Sequence, residues 1–101
     1  MSRKITVQFE VREMLIMKDT LEQMGISFTE SAGQLRIEGS YGGISITDSN
    51  ISFDSVDQKR VNKIKQQYMT NFYRDKAIKE GMQIHEEVNA KGEVILTLTN
   101  S

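Results

Sequence analysis

The chain has no cysteine, no proline and no tryptophan, and a single histidine in 101 residues. Without cysteine, neither disulfides nor thiolate metal sites can form, and one histidine is a poor ligand set for a transition metal. The missing proline removes the strongest markers of linkers and cis turns. No apolar run approaches the roughly 20 residues of a membrane-spanning helix. Met1-Ser2-Arg3-Lys4 passes straight into an alternating segment, without the apolar stretch of a signal peptide. These absences predict a cytoplasmic protein that uses no metal or cofactor.

Apolar residues make up 38% and charged residues 27%, a balance that predicts a globular chain. The length suits one domain, residues 1–101, burying roughly 60–65% of the surface of its unfolded chain. The net charge of −1 is unevenly spread. Between Asp57 and Glu80 seven basic residues face three acidic ones, a local charge of +4, so the remainder carries −5.

Two periods alternate along the chain. Ile5, Val7, Phe9 and Val11 share one parity between Lys4 and Val11, which predicts a half-buried strand. Met14, Met17, Leu21 and Met24 then fall three and four apart, the stripe of a helix that Gly25 would end. Short strands are expected at Ile26–Glu30, Gln34–Glu38 and Gly43–Thr47, and another around Ile51 and Phe53. Ser55 with Gln58 reads as a capping box opening a second helix. Its buried stripe is Val61, Ile64, Tyr68 and Phe72, with Ile78 extending it and Gly81 closing it. Met82, Ile84 and Val88 alternate, Asn89-Ala90-Lys91-Gly92 turns the chain, and Val94, Leu96 and Leu98 return as a hairpin.

The resulting order is β-α-β-β-β-β-α-β-β. It predicts an α+β fold, a two-layer sandwich with a mostly antiparallel sheet and two helices on one face. The other sheet face would carry Thr6, Gln8, Arg36, Ser45 and His85, open to solvent or a partner.

Four groups of residues could carry chemistry. Lys59, Arg60, Lys63, Arg74, Lys76 and Lys79 form a candidate footprint for phosphate or nucleic acid, against the reading of a solvated helix face that a pI near 5.8 favours. Tyr73 lies one position off the buried stripe and is the candidate exposed ring for stacking. Gly39-Ser40-Tyr41-Gly42-Gly43 resembles a phosphate loop but lacks the Lys-Ser/Thr that should follow. Tyr41, Gly42 and Gly43 therefore stand as a candidate ligand loop whose glycines admit close backbone approach. His85 with Glu86, Glu87 and Glu10 could move protons, yet neighbouring strand residues point to opposite faces, so a polar sheet face is the better account.

Gln67-Tyr68, Ala77, the run Gly81-Met82-Gln83-Ile84-His85-Glu86-Glu87 and the run Gly92-Glu93-Val94-Ile95-Leu96 resemble the C-terminal pattern of a family. It is the domain-of-unknown-function family twelve-fifty-seven, with a hypothetical chloroplast reading frame (number thirty-five) and cyanobacterial relatives. The layout of the N-terminal half agrees with it. Ile51 to Val56 lacks the family's Trp-bearing segment, and Thr99-Asn100-Ser101 replaces its Arg-Trp-like end, so the resemblance is to a divergent member. It implies the fold and a tendency to sit beside partner proteins, and no chemistry. The expected function is a non-enzymatic binding or accessory module working through protein–protein contacts or self-association. The alternative is a nucleotide- or nucleic-acid-binding protein using helix 57–80 and the Gly39–Gly43 loop.

Overall fold

Strict alternation builds the sheet. The computed structural model describes residues 3–39 and 42–100, with residues 82–85, 96 and 98–100 as backbone only. Five strands form in it: β1 (Lys4–Gln8), β2 (Thr29–Ser31), β3 (Gln34–Gly39), β4 (Gly42–Ile46) and β5 (Asn50–Asp54). Their spatial order is β1-β5-β4-β3-β2, with every neighbour antiparallel. Leu35, Ile37, Ile44, Ile46, Ile51 and Phe53 are buried, while Arg36 and Glu38 between them are exposed and Ser45 and Ser52 half-buried. One sheet face is therefore apolar and the other polar.

Helices α1 (Met14–Gln23) and α2 (Gln58–Lys79) cover the apolar face. Met17 and Leu21 of α1 and Val61, Ile64 and Tyr68 of α2 join the inward strand residues in one cluster. The fold is α+β, with both helices packed on one side of the five-stranded sheet. Asn71 ties the helices together by donating to Thr20 Oγ1 and Gln23 Oε1, both at 2.9 Å.

Local chemistry explains most element ends. Gly25, at φ +71°, turns the chain out of α1 while the Ile26 amide reaches back to the Leu21 carbonyl at 2.8 Å. That six-to-one bond satisfies a carbonyl the helix end would orphan. It also holds Ile26 back from the sheet, so β2 starts at Thr29 and is shorter than the alternation suggests. The expected Ser55–Gln58 capping box does not form. Asp54 caps instead, its carboxylate accepting from the Val56 amide at 3.1 Å ahead of a 3₁₀ turn, Ser55–Asp57. Gln58 bonds forward to Asn62 at 3.1 Å.

The β2–β3 turn holds Ala32 and Gly33 at φ +52° and +75°, between the paired residues Ser31 and Gln34. Two positive φ angles suit the right-handed strand twist, but a Cβ at the first position is strained. Replacing Ala32 with Asn, which tolerates this conformation, is expected to stabilise the domain by about 0.5–1 kcal/mol. Urea denaturation with an unchanged m-value would check it.

The C-terminal hairpin departs from the expected single sheet. β6 (Met82–Val88) and β7 (Val94–Asn100) pair only with each other, as a separate two-stranded sheet. His85, expected on the polar face with Thr6, Gln8, Arg36 and Ser45, belongs to this hairpin, and its side chain lies outside the described residues.

The separation follows from lengths. Twenty-two helical residues span about 33 Å, whereas five-residue strands span about 17 Å and five strands about 19 Å across. The last turns of α2 outrun the sheet, and its burial changes sides there. Ile78, expected to extend the buried stripe, is 71% exposed, while Ala77 is fully buried. Thr70 and Ala77 lie roughly 160–200° round the helix from the sheet-facing stripe. The hairpin packs on that back side, where Arg74 pairs with Glu86 of β6. The radius of gyration, 14.6 Å, exceeds the roughly 13 Å of a typical 100-residue domain, as a projecting helix end and hairpin require.

Candidate functional site

The six basic candidates on α2 do not converge. Arg60 leans toward the sheet and donates to the Glu38 carbonyl at 2.8 Å. Arg74 is held by Glu86 under the hairpin. Lys79 lies 2.9 Å from Asp75, whose hydrogen bond and charge hold the ammonium above the ordinary lysine range. Lys76 lines the same shallow groove as Lys79, together with Glu13, Asp75 and Glu80, a mixed-charge rim. Among the described residues Lys59, Lys63 and Lys76 are the exposed candidates outside any ion pair, the first two as an i,i+4 pair on the back of the helix. A phosphate backbone would thus meet three unengaged cations rather than six, and Lys76 is apart from the other two along the helix.

The glycines that flank the candidate loop belong to paired strands. Gly39 pairs with Gly42 across the β3–β4 turn, and Gly42 and Gly43 open β4, while Tyr41 lies outside the described residues. A Cβ on Gly39 would lie 2.8 Å from a carboxylate oxygen of buried Asp57. A carboxylate at the base of the loop opposes an incoming phosphate.

Tyr73 is half-buried and sits edge-on to Phe72, with ring centroids 5.4 Å apart. With Phe9, Tyr68, Met69 and Phe72 it lines a groove of about 240 Å³ beside the β1–α1 connection. Glu10 and Arg12 close its rim as a mutual ion pair at 3.3 Å. Glu10 thus serves a partner far from His85 in sequence, and Glu86 serves Arg74, so two carboxylates of the less favoured acid–base grouping are engaged elsewhere. The groove unites residues about sixty positions apart, and no local pattern signals it.

The hairpin was legible as a hairpin but not as a surface. Its tip is ordered by Asn89, whose side-chain oxygen accepts from the amides of Lys91 and Glu93, both at 2.9 Å. Gly92, at φ +80°, completes the turn, its amide donating to the Asn89 carbonyl at 3.0 Å. Just inside this tip Val88 pairs with Val94, and they are 69% and 40% exposed. Ile95, of opposite parity, is 46% exposed. Three β-branched apolar side chains therefore meet solvent on both faces of a braced two-stranded ribbon. The run Val94-Ile95-Leu96-Thr97-Leu98-Thr99-Asn100, without a charge, is the sequence signal for this surface.

Searches of protein-family models, curated proteins and solved structures found no match to this chain, so the resemblance of its C-terminal third rests on the quoted residues alone.

Proposed function

We propose that this protein is a non-enzymatic binding module that engages other proteins through its C-terminal hairpin. The observation that carries this reading is the exposure of Val88, Val94 and Ile95 on an arm packed against α2 and paired with no strand of the main sheet. Clustered apolar residues on a projecting ribbon are characteristic of a surface that a partner covers. The polar sheet face makes a weaker case, because its side chains pair among themselves: Thr6 with Ser52 at 2.9 Å, and Gln34 with Ser45. Nucleic acid is the less favoured partner, since Arg60, Arg74 and Lys79 are held by a carbonyl or carboxylates of the chain itself.

A photo-crosslinking residue at Val88, compared with one at exposed Gln8 on the main sheet, tests the reading in cells that express the protein. Discrete adducts are expected from Val88 and not from Gln8. The double variant Val88→Asp, Ile95→Asp should abolish the adducts of a probe at exposed Lys91, while its stability stays within about 0.5 kcal/mol because both sites are already solvated. Equal labelling from Val88 and Gln8 would refute a hairpin-directed interaction.

A further inference from the structure

The four strands that border a sheet edge differ sharply in how they are protected. β2 is three residues long and carries Glu30 in an ion pair with Lys18 at 2.7 Å. β1 is five residues long and opens on Lys4. β6 carries Glu86 and Glu87. Short length and charge are the usual devices that keep an edge from pairing. β7 has neither: its seven residues include no charge, no proline and no glycine. Its sheet contains β6 and β7, and among the described residues no strand lies beside the outer row of amides and carbonyls of β7.

We propose that β7 is a self-pairing edge, at which two copies of this chain join antiparallel, β7 to β7, into a four-stranded ribbon. The proposal deepens the reading of the hairpin as a protein-binding arm by naming its partner. Full overlap of the two strands puts the two-fold axis at Thr97, with Leu96 of one copy opposite Leu98 of the other and Ile95 opposite Thr99. No like charges meet in this arrangement, whereas pairing through β6 would gather Glu86 and Glu87 of both copies on one ribbon. Val94 and Ile95 lie on opposite faces of β7, so the added strand meets apolar surface above and below the ribbon. One seven-residue strand pair covers less than the roughly 800 Å² per partner of a standard interface, which puts the dimer in the weak, concentration-dependent class. An isologous contact of this kind closes at two copies.

Sedimentation equilibrium of the full chain from about 10 μM to about 1 mM spans the range for such a contact. A monomer–dimer equilibrium is expected. Thr97 is exposed, so Thr97→Lys should keep the fold and melting temperature while weakening the dimer at least tenfold; Gln8→Lys on the β1 edge should leave it unchanged. Amide exchange in β7 should slow as concentration rises. A chain that stays monomeric throughout overturns the proposal, as does a dimer equally tight in Thr97→Lys or growth beyond two copies. A monomer that still forms Val88 adducts with a different protein overturns self-pairing and leaves the hairpin as a docking arm. A monomer with no Val88 adducts sinks both.

Discussion

Truncating Tyr68 to alanine is expected to destabilise the domain by about 3–5 kcal/mol, the range for deleting a large buried ring. The side chain is 1% exposed and joins three parts of the structure. Its ring meets Phe9 edge-on at 5.6 Å and stacks with Phe72 at 5.9 Å, and its hydroxyl accepts the Glu13 amide at 3.2 Å. That amide is at the start of α1, where no side chain of Glu13 caps the helix, so Tyr68 supplies from α2 what the local sequence does not. Tyr68→Phe separates the two contributions. It keeps the ring and removes only the acceptor, at about 1 kcal/mol or somewhat more if the amide is left unpaired. Against a total stability of about 5–15 kcal/mol, the alanine variant should melt some 15–30 °C lower and the phenylalanine variant roughly 5–10 °C lower. Equal losses for the two variants would show that the hydroxyl, not the ring, is the anchor. Calorimetry of both decides it.

Gly39→Ala is the second large effect expected. The backbone there is not left-handed, so it is space rather than conformation that demands glycine. An added Cβ would overlap the Gly42 carbonyl oxygen and lie 2.8 Å from Asp57 Oδ2 and 3.4 Å from Ile44 Cγ1. The first obstacle is backbone within a paired ladder, and the second a buried carboxylate at the start of α2. The first cannot swing away as the end of a side chain can. Overpacking of this kind costs about 1–3 kcal/mol, and the upper part of that range is expected here. Gly43→Ala is the control, since its Cβ would meet nothing closer than the Ile37 carbonyl at 3.6 Å. Adding Asp57→Ala to Gly39→Ala should recover little, because the backbone overlap remains. Urea unfolding of the four proteins tests this, and a neutral Gly39→Ala would mean the β3–β4 turn can shift freely.

Both predictions turn on contacts between distant segments. What was readable from the amino-acid order was local. Ile5 and Val7, Leu35 and Ile37, and Ile51 and Phe53 announce strands through their spacing of two. Met17 and Leu21, and Val61, Ile64 and Tyr68, announce helices through spacings of three and four. The turn glycines at 25, 33, 81 and 92 all take positive φ. The element order and the α+β class follow from these patterns, because burying one side of a strand or helix constrains every second residue, or every third and fourth.

Which of the basic candidates other elements would engage was not readable from the helix alone, for a related reason. Helical spacing says which residues share a side, but not which carbonyl or carboxylate another element brings there. Glu38 takes Arg60, and Glu86 takes Arg74, from 22 and 12 residues away. The exchange of Ile78 for Ala77 at the buried position has the same origin. A periodic pattern assumes that a helix keeps one buried side, and α2 does not, since it is longer than the sheet it covers.

Composition and periodicity by themselves determined the elements, their order and a one-sided core, because those depend on near neighbours along the chain. Only the tertiary structure decided that the last two strands leave the main sheet, because that depends on a helix about 33 Å long outrunning a layer about 19 Å wide. That mismatch leaves the uncharged strand Val94–Asn100 at the border of its own two-stranded sheet.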